Sequence, residues 1–200
     1  YSDGLRIYTT IDSRMQEYAE QAISSHLGSP SNLQAQFFKD TKRWRNPPFS
    51  NDLSEEEIEG IMNTAMRRTE RYRVLTGKEC GVCHRRVNIE RVTENGHARY
   101  QCQAEDCGND WRAMPSDSVE VIFEQPVEMT VFSWRGEIDT TLSPMDSIRY
   151  YKNFLQAGMV SIEPTTGFVK AWVGGINFKH FMYDHVRTGK RQVGSTFKPF

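Results

Sequence analysis

Long apolar runs are missing. No stretch of the 200 residues approaches the roughly twenty consecutive apolar side chains that cross a bilayer, and the first residues lack the basic-then-apolar layout of a signal peptide. A bilayer-crossing helix within this sequence is thereby excluded. A dominant charge sign is missing too: 25 Lys and Arg stand against 26 Asp and Glu, for a net charge of −1. That balance offers no electrostatic case for nucleic acid, and the basic clusters at Arg67 to Arg73 and Arg187 to Arg191 read as solvated faces. No internal repeat or disorder-like composition is visible. Cysteine is scarce, with four residues, all between positions 80 and 107. What remains, a 38% hydrophobic content, suits one sizeable domain or a domain with a small insert.

Three helices can be read from local chemistry. Asp12 caps a helix carrying Met15, Ala19, Ala22, Ile23 and Leu27 on one face and stopped by Gly28. From Ser29 to Asn51 the pattern dissolves into polar, proline-containing sequence, which predicts a loop. Ser54 and Glu57 then form a capping box, with Leu53 and Ile58 at the positions of a hydrophobic staple. Acidic residues fill the first turn of that helix and arginines its last, and Gly77 is its expected end. The third helix starts at Ser143 with Pro144 in the first position, turns Met145, Ile148, Tyr151 and Leu155 inward and stops at Gly158. Between the second and third helices, 119–123 and 129–132 are expected to be strands.

Met159 to Ile162 and Phe168 to Val173 predict a strand hairpin that closes on Gly174-Gly175. It leads to Arg191-Gln192-Val193-Gly194-Ser195-Thr196-Phe197-Lys198-Pro199-Phe200. Ser195 and Lys198 are one helical turn apart, so the amine can relieve the hydroxyl of its proton and make it a nucleophile. Ser-x-x-Lys arises about once by chance in a chain of this length, so the weight lies in the order of hairpin, Gly-Gly and tract. Pro199 disfavours helix at Lys198, which predicts a tight turn over Ser195 to Lys198.

In that order these features resemble the transpeptidase domain of class A penicillin-binding proteins, the bifunctional cell-wall synthases; Ser-x-x-Lys is that family's motif. The resemblance extends to Phe132-Ser133-Trp134, to Ser143-Pro144-Met145-Asp146-Ser147-Ile148 and to Gly4-Leu5-Arg6-Ile7-Tyr8-Thr9-Thr10-Ile11-Asp12. Only about 75 to 115 looks foreign to it. The fold it implies is α+β, a partial transpeptidase domain of the penicillin-binding-protein and serine β-lactamase type with helices on an antiparallel sheet. The implied layout is 1–75 and 116–200 as transpeptidase segments, separated by a cysteine-rich insert at 76–115.

The implied reaction is acyl transfer. Ser195 attacks the carbonyl between the two terminal D-alanines of a peptidoglycan stem peptide, expels the last one and keeps the rest as an ester, which a second stem peptide's amine resolves. Lys198 would be the base, and the Ser195 N–H half of an oxyanion hole. No cofactor enters the catalysis. The resemblance further implies β-lactams as inhibitors, a parent on the periplasmic side of the inner membrane, and an anchor and glycosyltransferase domain upstream of Tyr1. The Ser-x-Asn and Lys-[Thr/Ser]-Gly motifs are expected downstream of Phe200, so this fragment is expected not to turn over. Asp184, His185 and Arg187 read as a solvated connector or groove lining. Two rival readings stay open: a class D type β-lactamase or β-lactam sensor, and a zinc-ribbon interaction module without catalysis.

Cys80-Gly81-Val82-Cys83 and Cys102-Gln103-Ala104-Glu105-Asp106-Cys107 flank a stretch centred on Glu94-Asn95-Gly96, and Asn-Gly is the preferred type I′ turn. With Arg86 to Val92 and His97 to Gln101 as arms, a hairpin would fold Cys80, Cys83, Cys102 and Cys107 into a tetrahedral set for structural zinc, like a zinc ribbon. Two disulfides are the alternative in an oxidising periplasm, and Cys83-His84 also completes the c-type haem attachment motif. The insert is expected either to act as a structural clasp or to dock an envelope partner.

Overall fold

The computed structural model describes residues 4, 6–28, 33–94, 97–190, 194 and 198. Helices α1 Ser13–Gly28, α2 Leu33–Thr41, α3 Glu55–Arg68 and α4 Glu70–Leu75 come first. Strands β1 Ile89–Glu94, β2 His97–Cys102 and β3 Asp110–Arg112 follow, then helix α5 Ser116–Glu124. The chain continues through β4 Val127–Ser133, β5 Gly136–Leu142, α6 Pro144–Lys152, β6 Met159–Ile162 and β7 Val169–Val173. Among the described residues the architecture is α+β with three small sheets, ordered β1-β2-β3, β4-β5 and β6-β7. Two compact units arise, residues 1–42, 134–136 and 154–200 in one and 43–133 with 137–153 in the other.

In the first unit α1 is laid along the β6-β7 hairpin. Asp12 Oδ1 accepts from the N–H groups of Arg14 and Met15 at 3.0 and 3.1 Å, as an N-cap should. Ala19 and Ile23, one turn apart, pack on Ala171 and Val173. Gln16 completes the outer edge of β7: its Oε1 accepts from Trp172 N–H at 2.8 Å and its Nε2 donates to Trp172 O at 3.0 Å. One side-chain amide thus does what a neighbouring strand's peptide would, satisfying backbone groups that an open edge leaves bare. The expected loop after Gly28 contains α2. Its polar look came from residues buried for their hydrogen bonds, since Gln34 is 2% exposed and its Oε1 accepts from Leu155 N–H at 2.8 Å.

In the second unit the capping box is present, with Glu57 N–H donating to Ser54 Oγ at 3.2 Å and Ser54 N–H donating to Glu57 Oε2 at 2.8 Å. Ser54→Ala should therefore lower stability by about 1 kcal/mol in chemical denaturation. The helix does not run to Gly77. At Thr69 the backbone turns extended, and its hydroxyl donates to Met66 O at 2.7 Å while accepting from Tyr72 N–H at 3.2 Å. One residue thus ends α3 and starts α4. The last helix is likewise shorter than expected, closing at Lys152 with Asn153 as its cap rather than at Gly158.

The 119–123 segment is a correction: it lies in α5, not in a strand. Its β-branched residues favour a strand locally, but Val119 and Phe123, four apart, are 0% and 1% exposed and Val121 is 61% exposed. That is the pattern of one helical face. The face joins Met66 and Tyr72, with Leu75, Met145 and Ile148 packed against them. A second cluster, Phe49, Ile58 and Met62 with Leu53, shares Met145 and Ile148. Phe132 N–H donates to Tyr151 Oη at 3.1 Å, and Tyr150 Oη donates to Phe132 O at 2.7 Å, so two tyrosines of α6 hold the backbone of one residue of β4.

The cysteine region leaves the fold and returns at one point. Leu75 ends α4, and Met114 N–H donates to Leu75 O at 2.8 Å. Within this excursion β1, β2 and β3 form an antiparallel sheet, with Ile89 opposite Cys102 and Tyr100 opposite Trp111. Tyr100 and Trp111 stack at 6.1 Å, and Trp111 Nε1 donates to Val74 O at 3.2 Å. The Tyr100 ring also lies over Gly77, where φ is +75° and a Cβ would come within 2.6 Å of it, so no larger residue fits that turn.

Candidate functional site

The approach to the Ser-x-x-Lys tract is built from β7 onward. β7 ends in Gly174-Gly175, and the following loop folds back on it. His185 N–H donates to Gly174 O at 2.7 Å, and a Cβ on Gly174 would stand 2.9 Å from the Asp184 carboxyl carbon. Asp184 is the hub. Its Oδ1 accepts from Val186 N–H at 2.9 Å and Arg187 N–H at 3.0 Å, and its Oδ2 from Trp172 Nε1 at 3.0 Å. The connector is thus held in place through Asp184, and Trp172, 36% exposed, is one of its donors. A cavity of about 550 Å³ lies beside the hub, lined by Gln16, Trp172, Gly174, Phe181, Tyr183 and Asp184 among others.

The Arg187 N–H, the Trp172 indole, the Val186 N–H and the Arg187 charge together hold the Asp184 carboxyl below its usual value of 3.8, against the opposing effect of burial. A carboxyl depressed on folding stabilises the protein above the unfolded value, and this contribution is lost as pH falls through the lower folded value. The difference in Tm between wild type and Asp184→Asn should therefore be at its full size above pH 3.8 and shrink as acid is added. A constant difference across that window would show that the charge is not what the loop uses.

Ser195 and most of the tract around it lie outside the described residues, and so does the expected turn from Ser195 to Lys198. Of that segment, Gly194 has φ +53° and Lys198 is exposed.

The four cysteines are brought together. The Cys80 and Cys107 sulfurs are 3.6 Å apart, those of Cys83 and Cys102 are 3.5 Å apart, and all four lie within 4.8 Å of one another. Cys80 and Cys102 are 0% and 1% exposed, and with Ala104 they are the buried centre of the excursion, flanked by Cys83, Cys107 and Trp111. Asn109 Nδ2 donates to Cys80 Sγ at 3.6 Å. Asn109 was not anticipated, although its place two residues past Cys107 was a usable signal. Burial opposes ionisation of Cys80, but the N–H groups of Cys83 and Val82 and the thiols of Cys107 and Cys83 outweigh it and bring Cys80 down to about 6. Cys107 moves the other way: the Asn109 N–H favours its thiolate, while burial and the other three sulfurs push it up to about 12. His84 Nδ1 sits 2.6 Å from Glu70 Oε1. Beside the cluster, buried Glu79 accepts from Arg73 Nε at 2.5 Å and Arg86 Nε at 2.9 Å, anchoring the chain next to Cys80.

Comparison with known proteins shows what the chain is similar to. Residues 97–155 match the penicillin-binding protein middle domain, a match that begins inside the stretch that looked foreign and takes in Cys102 and Cys107. Together with the relatives described next, this makes the chain similar to part of a penicillin-binding protein. Among its relatives are penicillin-binding protein 1A of Neisseria flavescens, 27% identical over 207 residues, and that of Neisseria cinerea, 24% identical over 219 residues. Both alignments take in 100% of this chain and 23% of the relative, so the chain spans about a quarter of their length. Penicillin-binding protein 1A of Pseudomonas aeruginosa is 40% identical over 45 residues, 22% of this chain and 6% of the relative. No solved structure matches. Among the described residues no helix is long and apolar enough to cross a membrane.

Proposed function

We propose that the protein to which this chain belongs is a serine D,D-transpeptidase acting on peptidoglycan stem peptides. In this reading Ser195 is the nucleophile and Lys198 the base. The Ser195 Oγ–H bond breaks and its proton passes to the Lys198 amine as Oγ bonds to the penultimate D-alanine carbonyl. The C–N bond to the terminal D-alanine then breaks, and that residue leaves as a free amine carrying the proton. An acceptor amine on a second stem peptide reverses the sequence, forming the crosslink and restoring the serine hydroxyl. As the base, Lys198 takes the proton on the lone pair of its amine.

The observation that carries the reading is the path into the tract. A strand hairpin braced by α1 and Gln16 runs into Gly174-Gly175 and an Asp184-pinned loop, and from there to Gly194-Ser195-x-x-Lys198, in a chain similar along its whole length to penicillin-binding protein 1A. The same reading puts the parent on the periplasmic side of the inner membrane, with a glycosyltransferase domain of its own, and makes 76–115 an insertion between two transpeptidase segments. The hydrogen bond from Met114 to Leu75 supports that division.

Fluorescent penicillin added to the full-length protein tests the assignment. The expected result is a stable covalent adduct whose penicilloyl mass maps to the peptide containing Ser195. Rapid loss of the adduct by hydrolysis would favour a β-lactamase of the same fold. An adduct on any other serine, or none, would remove the transpeptidase reading.

A further inference from the structure

We infer that Cys80, Cys83, Cys102 and Cys107 form a tetrathiolate site for one structural zinc ion, independently of the chemistry at Ser195. Distance decides between metal and disulfides. A disulfide needs sulfurs about 2.05 Å apart, and the two closest pairs here are at 3.5 and 3.6 Å. Zinc–thiolate bonds of about 2.3 Å in a regular tetrahedron put every sulfur about 3.8 Å from the other three. The observed pairs lie near that edge, and the whole set fits within 4.8 Å. Pairing into disulfides would also have to draw two sulfurs out of a common cluster. A haem thioether reading fares worse, since Cys80 faces Cys107, Cys83 faces Cys102 and His84 is engaged by Glu70.

The backbone makes the second, independent case. Each cysteine pair ends in the same turn. The residue after the second cysteine takes a left-handed conformation, His84 at φ +56° and Gly108 at φ +56°. In each turn the N–H of the first cysteine donates to the carbonyl two residues past the second: Cys80 to Arg85 at 3.0 Å and Cys102 to Asn109 at 2.8 Å. The two turns differ in length and sequence yet close alike, each aiming two sulfurs at one point. A non-glycine residue in the left-handed region carries strain, and here it serves to curl the chain around the sulfurs. Asn109 Nδ2 donates to the Cys80 sulfur at 3.6 Å, the kind of contact that spreads the negative charge of a metal tetrathiolate. Among the described residues the buried hydrophobic cluster of the excursion adds only Ala104 to the cysteines, too little for a fold of its own without a staple.

Binding is a proton exchange without redox change: four S–H bonds are replaced by four Zn–S bonds and the protons pass to solvent. The test is metal analysis of the full chain, purified without chelator and without added reductant. The expected result is one zinc per chain, four thiols that react with a thiol reagent only after a strong chelator is added, and an intense visible spectrum of tetrahedral cobalt thiolate when cobalt replaces zinc. Asn109→Ala, which leaves all four ligands in place, should lose zinc to a competing chelator at roughly tenfold lower chelator concentration, because Asn109 is a positioning residue. Two disulfides in the intact mass, or four freely reactive thiols in the presence of added zinc, would overturn the site. So would unchanged zinc content in a Cys80→Ser, Cys107→Ser double variant.

Discussion

Replacing Ser195 with alanine should leave the full-length protein with no covalent penicillin adduct, whereas Lys198→Ala should leave a slow one. The two variants differ in kind. An ester cannot form without the hydroxyl, so Ser195→Ala has no residual route to the adduct. Removing the base takes away proton abstraction alone, a loss of about 10²- to 10⁴-fold in acylation rate, while binding and oxyanion stabilisation persist. Lys198→Arg should behave like Lys198→Ala despite keeping the charge, because a guanidinium does not deprotonate. The measurement is the acylation rate of each variant with fluorescent penicillin, followed by gel and intact mass. Undiminished labelling of Ser195→Ala would end the catalytic assignment, and wild-type labelling rates in Lys198→Arg would end the role given to the amine.

Phe123→Ala should cost about 4 kcal/mol in chemical denaturation, the range for emptying a fully buried aromatic site. The ring is 1% exposed, meets Tyr72 edge-on at 6.4 Å and lies in the cluster with Met66 and Val119. Val121→Ala should change stability by less than about 0.5 kcal/mol, since that side chain is 61% exposed. The pair of measurements also separates helix from strand. In a strand Val119, Val121 and Phe123 share a face and all three should be costly. In a helix Val121 turns away. A large cost at Val121 would mean that α5 is misassigned.

The same segment shows what can be read from a sequence. Val119-Glu120-Val121-Ile122-Phe123 has the composition of a strand, and only packing against Met66 and Tyr72 overrides it. The capping box at Ser54 and Glu57 was legible because all its partners lie within four residues. Thr69 was not, because nothing in a continuous helical pattern announces that one hydroxyl will end one helix and start the next. Helix α2 was hidden by Gln34, polar in the sequence yet buried by a hydrogen bond to residue 155. In the candidate sites the spacing of the cysteines and of Ser195 and Lys198 could be read directly. The third strand at Asp110–Arg112, the twin turns and the hub at Asp184 could not, because each is set by backbone hydrogen bonds that residue type and spacing do not announce.

The hydrogen bond between Met114 and Leu75 has a consequence for how this protein can change. An appendage whose two ends meet behaves as a cassette: its closure costs little chain entropy, and that cost grows slowly with its length. With Leu75 and Met114 already joined by a hydrogen bond of 2.8 Å, a longer or shorter segment between them would change the closure cost by only a fraction of a kcal/mol, on the order of 0.6 for a doubling in length.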